Sequence, residues 1–313
     1  MLSRIAESLF WIGRYVERAD GTARILDVHL QLLLEDPWVD EATACRSLLS
    51  VMGAADVHPD TELTRSDVLN LLAVDRSQPA SIAYSVNAAR ENARRAREIV
   101  STELWECLNA TYSRMPFSVR QEKVHDLFAW VRERSALAVG VVNSAASRDD
   151  AYQFMMLGRS LERADMTARL LATRSLTEAS GASWTTILRS CGAYESYLRT
   201  YHGMPSAANA AEFLLLDRLF PRSIQYSVST ALSSLYDIQP RHERGGRVGV
   251  TDQAQRLLGQ ISSDLEYRPI HDTLADLPRY MDGVQDAVSR ASEAIRQRYF
   301  PSITAPSWVG DNS

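Results

Sequence analysis

Two stretches of this chain carry charged residues at spacings that could do chemistry. Residues 13–26 read Gly-Arg-Tyr-Val-Glu-Arg-Ala-Asp-Gly-Thr-Ala-Arg-Ile-Leu. Residues 158–171, 145 positions later, read Gly-Arg-Ser-Leu-Glu-Arg-Ala-Asp-Met-Thr-Ala-Arg-Leu-Leu. At about 100° per residue, Gly13, Glu17, Asp20 and Arg24 fall on one strip of a helix, flanked by Arg14 and Arg18. Gly158, Glu162, Asp165 and Arg169 repeat that strip, flanked by Arg159 and Arg163. Three readings are open. The strips could be solvated faces held by weak i,i+4 pairs. They could form buried, fully hydrogen-bonded ion pairs across an interface. Or they could be a site, with arginines holding a carboxylate or phosphate and Glu17 or Glu162 acting as general base or as a clamp for an amine. The apolar positions differ between the copies (Ile12 against Leu157, Val16 against Leu161) while the charges recur, which solvation alone does not require.

A metal fits these residues poorly. Glu17, Asp20, Glu162 and Asp165 offer four carboxylates on two helices. Di-metal bundles use Glu-x-x-His, however, and none of the six histidines stands at that spacing from Glu17 or Glu162. The flanking arginines would also repel a cation. Cys107 and Cys191 have no motif that would make them nucleophiles. Neither a Gly-x-x-x-x-Gly-Lys loop nor a Gly-x-Gly-x-x-Gly turn is present, so no self-contained nucleotide site is expected, and no cofactor.

The elements that must position these residues read as helices throughout. Glycine (14) and proline (11) are scarce for 313 residues, and no sustained period-2 pattern occurs. Helical segments are expected over 4–34, 41–53, 64–73, from Pro79 to about Val100, and over 102–112, 118–144, 148–178, 183–200, 206–218, 221–238, 251–264 and 270–298. In the first, Ile12, Tyr15, Val16, Ala19, Ala23, Leu26 and Leu30 form a broad apolar face opposite the charged strip. Residues 239–249 read as a mobile basic loop.

A second block also recurs. Asp75-Arg76-Ser77-Gln78-Pro79-Ala80-Ser81-Ile82-Ala83-Tyr84-Ser85-Val86 matches Asp217-Arg218-Leu219-Phe220-Pro221-Arg222-Ser223-Ile224-Gln225-Tyr226-Ser227-Val228, 142 positions on. Trp38 and Trp184 lie at a similar offset. Two blocks in one order at nearly equal offsets imply a tandem duplication. The expected architecture is all-α: a single domain over residues 1–300, built from two pseudo-symmetric repeats of about 145 residues (4–145 and 148–298), with a C-terminal tail over 301–313. In the second block Asp75 and Asp217 could cap or pair near a helix start, and each proline suits a first turn. The hydroxyls of Ser81, Tyr84, Ser223 and Tyr226 could reach the Glu-Arg strips.

Composition narrows the function classes. Hydrophobic residues make up 45% and charged residues 23%, which is globular rather than disordered. The net charge of −5 argues against a general nucleic-acid surface, and Arg90-Glu91-Asn92-Ala93-Arg94-Arg95-Ala96-Arg97 reads as one basic helix face. Three distant cysteines exclude a disulfide framework and a cysteine zinc site. No apolar run is long enough to span a membrane, so a reducing cytoplasm is the expected address.

The two Glu-Arg helices, with Asp217-Arg218-Leu219-Phe220-Pro221-Arg222-Ser223-Ile224 and Glu103-Leu104-Trp105-Glu106-Cys107-Leu108-Asn109, resemble the bacterial alpha-E domain family over nearly the whole chain. The resemblance implies an all-helical protein that accompanies an ATP-grasp amidoligase-like protein, often with transglutaminase-like or peptidase-like proteins, in systems that make or modify peptides or amino-acid conjugates. It also implies that Glu17-Arg18 and Glu162-Arg163 are the functional element, with Arg14, Asp20, Arg24, Arg159, Asp165 and Arg169 in support. Asp75, Arg76, Tyr84, Asp217, Arg218 and Tyr226 are further candidate ligand contacts. The function expected is a partner subunit that binds the ligase or its peptide substrate. The alternatives are an enzyme acting on amide bonds, with Glu17 or Glu162 as acid/base, and a purely structural helical module.

Overall fold

The computed structural model describes residues 1–35, 40–54, 63–173, 184–238, 250 and 252–301, and these contain helices and no strand. The expected basic loop over 239–249, Trp38 and residues 302–313 lie outside the described residues. The first half runs α1 (Ser3–Glu35), α2 (Glu41–Val51), α3 (Arg65–Leu69), α4 (Ile82–Arg95), α5 (Thr102–Arg114) and α6 (Val124–Ala145). The second runs α7 (Asp150–Ala172), α8 (Trp184–Ser190), α9 (Tyr194–Tyr201), α10 (Ala207–Leu216), α11 (Ile224–Ile238), α12 (Gln253–Tyr267), α13 (Ile270–Ala275) and α14 (Leu277–Tyr299). All pack around one continuous apolar core, making a single domain.

Several boundaries differ from the sequence reading, each for a local reason. Pro79 stands ahead of α4 rather than in its first turn, because the Ser81 hydroxyl caps that helix by accepting from the Tyr84 amide. The segment over 183–200 breaks into α8 and α9 at Gly192, whose φ of 62° is the left-handed conformation glycine tolerates. The last segment breaks at Asp276, whose side chain accepts from the Arg279 amide and starts α14 afresh. A π-helical turn over Asn70–Val74 follows α3 directly.

The centre of the fold is the crossing of α1 and α7, the most extensive helix–helix contact in the molecule. The expected apolar face of α1 is buried against α4, α6 and α8. Its charged strip is buried as well, because α7 crosses it: Glu17 and Asp20 are 3% and 5% exposed. The solvated-face reading is therefore wrong for Glu17 and Glu162, and α1 and α7 each use two opposite faces for packing.

The motif glycines make that crossing possible. A Cβ on Gly13 would collide with the Met155 carbonyl, and one on Gly158 with the Phe10 carbonyl. Further along, the Met166 thioether fills the space a Gly21 side chain would need. Gly13 meets Arg159 and Gly21 meets Met166, so contacts advance together along both helices and the two run in the same direction. Gly13→Ala and Gly158→Ala are each expected to destabilise the protein by about 3 kcal/mol, since backbone cannot retreat from a methyl group as a side chain can. Gly140→Ala and Gly259→Ala, where an added Cβ meets nothing within 4 Å, are expected to be neutral or slightly stabilising through helix propensity. Urea unfolding of the four variants checks the contrast.

Candidate functional site

Just beyond the glycine crossing, each helix presents its glutamate to the arginines of the other. On Glu162, Oε2 accepts from Arg14 Nε at 2.7 Å and Oε1 accepts from Arg18 Nε at 2.5 Å. Arg18 Nη2 adds a bond to Oε2 at 3.0 Å, so its fork grips the carboxylate bidentately. On Glu17, Oε2 accepts from Arg159 Nε at 2.9 Å, and Arg163 Nε lies 2.8 Å from Oε1. Asp20 and Asp165 each accept one turn onward, from Arg24 Nε at 2.9 Å and from Arg169 Nε at 2.8 Å. The buried ion-pair arrangement is thus present, between helices 145 residues apart in sequence.

Electrostatics fixes the protonation of both glutamates. Burial pushes the Glu162 pKa up, but Arg18 and Arg14 outweigh it and hold the carboxyl down at about 2. Glu17 behaves alike: burial raises it, and Arg163, Arg222 and Arg159 together drive it well below the carboxylate range. Arg18 is raised despite burial, because Glu162 lies against it, whereas burial lowers Arg163. Burial also lifts the thiols of Cys45 and Cys191, to about 11 and about 12, and that of Cys107, so none is poised as a thiolate. Among the described residues no group of three or more His, Cys, Asp or Glu could hold a metal ion.

The proline blocks contribute differently from expectation. Asp75 and Asp217 each fold a turn on themselves, Asp75 Oδ1 accepting from the Ser77 amide at 2.7 Å and Asp217 Oδ1 from the Leu219 and Phe220 amides at 2.9 and 2.6 Å. Ser81 and Ser223 do not reach the ion pairs. Their hydroxyls donate to the Asp75 and Asp217 carbonyls and cap α4 and α11. Arg76 donates to the Met115 carbonyl at 3.1 Å and lies over the Phe117 ring, and Arg218 pairs with Glu266 at 3.0 Å on the surface. Tyr226 gives its amide to the Ser223 cap. Tyr84 comes nearer, packing edge-on against Tyr15, whose ring lies under the Arg18 guanidinium.

Arg222 is the central residue that the sequence reading missed. Its Nη2 lies 3.2 Å from Glu17 Oε1 and also bonds Asp20 Oδ2, so one guanidinium ties both carboxylates of the first strip. Its raised pKa reflects Glu17 and Asp20 prevailing over burial. The signal was in the recurring proline block, for Arg222 stands where the first stretch has Ala80. A further pair of stretches was also missed: Leu48-Leu49-Ser50-Val51-Met52-Gly53-Ala54 and Ile187-Leu188-Arg189-Ser190-Cys191-Gly192-Ala193 share a leucine and a closing Gly-Ala. Their glycines, at φ of 68° and 62°, leave room for the guanidinium groups of Arg169 and Arg24 respectively.

Beside Glu162 lies a cavity of about 250 Å³, lined by Arg18, Glu162, Asp165, Arg169, Gln78 and Ala80 among others. Its apolar wall comes from Ile25, Val51 and Met166. Thr167 donates to the Arg222 carbonyl at 2.9 Å, whereas the hydroxyl of Thr22, at the same place in the recurring motif, is buried with no partner among the described residues.

Glu17→Gln and Glu162→Gln are each expected to destabilise the protein by about 3–5 kcal/mol, because each strands buried arginines without their anion. Glu162 has a folded-state pKa of about 2 against an ordinary 4.5, so its stabilisation is complete above about pH 4.5 and is lost as the pH falls toward 2. Denaturant unfolding from pH 7 to pH 2 should show that acid loss in the native chain and a flatter profile in Glu162→Gln.

Comparison with known proteins agrees with this geometry. Residues 1–300 match the model of the Alpha-E family, described as a predicted alpha-helical domain with a conserved ER motif. Uncharacterized proteins of Mycobacterium bovis and Mycobacterium tuberculosis are 24% identical over 339 aligned residues, covering 98% of this chain. The chain spans only 38% of the length of those relatives. No solved structure matches it. With its two Glu-Arg pairs interlocked at the crossing of α1 and α7, the chain belongs to the Alpha-E family.

Proposed function

We propose that this chain is a helical partner subunit of an ATP-grasp amidoligase-type system that makes or modifies peptides. It binds the ligase or its peptide substrate, with the cavity beside Glu162 as its site. In this reading the chain is a duplicated unit of about 145 residues with α1 and α7 as equivalent helices, which the recurring motif and the reciprocal ion pairs support. Its place is the cytoplasm, where ATP-dependent ligation occurs. Among the described residues no helix is long and apolar enough to cross a membrane, which is compatible with that.

The observation that carries a binding role is the state of the two glutamates. An acid/base group works best with a pKa near the working pH. Glu17 and Glu162 are instead held ionised, with the arginines around them. A carboxylate locked in this way orients and binds. Glu162 nonetheless borders an open cavity, which a purely structural pair would not need. The relatives' greater length supports the partner role, since there the matching unit is part of a longer chain.

The test is affinity purification of the tagged chain from its native cells with mass spectrometry of what accompanies it. Stoichiometric recovery of an ATP-grasp protein is expected; recovery of this chain alone at moderate salt would overturn the proposal. Gln78→Trp, which fills the cavity without removing an ion-pair residue, is expected to leave the melting temperature unchanged and to abolish product formation by the recovered complex.

A further inference from the structure

We infer that the cavity beside Glu162 binds a guanidinium group of a ligand, seated between Glu162 and Asp165 as the side chain of Arg222 is seated between Glu17 and Asp20. This inference rests on the cavity being the binding site and adds the chemistry of what enters it.

Two places in the chain differ atom by atom. Glu17 Oε1 lies against Arg163 Nε and also takes Arg222 Nη2. Among the described residues Glu162 Oε1 accepts from Arg18 Nε alone. Asp20 Oδ2 accepts from both Arg24 Nε and Arg222 Nη2. Asp165 Oδ2 accepts from Arg169 Nε. Glu17 and Glu162 each take three arginine contacts, but differently placed: Oε1 of Glu17 takes two where Oε1 of Glu162 takes one, and Asp20 Oδ2 takes two where Asp165 Oδ2 takes one. With about two lone-pair positions on each carboxylate oxygen, Glu162 Oε1 and Asp165 Oδ2 each keep one where Arg222 occupies the matching oxygens of Glu17 and Asp20. The residue at the matching position of the repeat is Ala80, whose short side chain lines the cavity in place of an arginine.

Charge count alone points the other way and does not decide. Arg14, Arg18 and Arg169 face Glu162 and Asp165, an excess of one positive charge that would welcome an anion. Arg159, Arg163 and Arg24 face Glu17 and Asp20 with the same excess, and there the fold still seats a fourth cation. What matters is directional: planar N–H donors meeting carboxylate oxygens that have free lone pairs. The wall of Ile25, Val51 and Met166 suits the methylene stem that carries such a group. An arginine side chain of a peptide and a small free guanidine share this chemistry.

The experiment is calorimetric titration of the full chain with methylguanidinium, with its uncharged isostere methylurea, with inorganic phosphate, and with N-acetylarginine amide. Methylguanidinium is expected to bind with one equivalent per chain, about tenfold or more tighter than methylurea, as charge-assisted bonds require. Tighter binding of N-acetylarginine amide than of methylguanidinium would assign the site to a peptide arginine, and the reverse to a small guanidine. No methylguanidinium binding, equal binding of methylurea, or preference for phosphate would each overturn the inference. Ala80→Arg, which supplies the group from within, is expected to abolish methylguanidinium binding while raising the melting temperature. Should that variant fail to fold, Arg222→Ala provides the complementary reading: a melting temperature lowered and then restored by methylguanidinium, with a second equivalent bound. Failure of the titration while an ATP-grasp protein still co-purifies would leave the partner role standing. Guanidinium binding without any co-purifying ligase would do the reverse.

Discussion

The structure depends on one interaction, the exchange of carboxylates between α1 and α7. Two long helices give each other a buried glutamate, and each receives it with two arginines. Such a pair is costly to bury unless every donor and acceptor is used, and losing one partner is worse than never having had the pair. That constraint fixes much else. The helices must approach closely enough for short arginine–carboxylate contacts, so glycine is required at positions 13 and 158. Because they run in the same direction, the chain between them must travel back along the molecule, which α2 to α6 accomplish. The second face of each helix then has to be covered, and α4, α6 and α11 do so.

The same interaction bears on function by limiting what the motif can do. Glutamates surrounded by guanidinium groups stay ionised and do not shuttle protons near neutral pH. Arginines gripping buried carboxylates are not free to seize a phosphate without giving up a partner. In the proposed binding role, recognition falls at the edge of the network. The two edges differ. At the edge near Glu17, Arg222 completes the set and closes the network from within. At the edge near Glu162, Ala80 stands beside a cavity that Glu162 and Asp165 border. In the proposed reading of a duplicated unit, the chain's own Arg222 fills one place and a ligand fills the other.

Much of this molecule was fixed by its sequence alone. Scarce glycine and proline, uninterrupted apolar periodicity and the recurring block around Glu17-Arg18 and Glu162-Arg163 determined an all-helical chain with two related charged helices, since helical periodicity and capping are local properties. Tertiary structure decided which faces are buried. Angular position placed Glu17 and Asp20 opposite the apolar face of α1, but whether that side meets water or another helix depends on residues 145 positions away. The proline blocks show the same division: their serines were legible as residues near a helix start, but only the packed backbone showed that they are spent on caps and carbonyls rather than on the ion pairs. Arg222 was hidden for a related reason. A difference between two similar sequence blocks carries no chemical meaning until the fold places it, and only packing shows that Arg222 bridges two buried carboxylates while Ala80 lines a cavity.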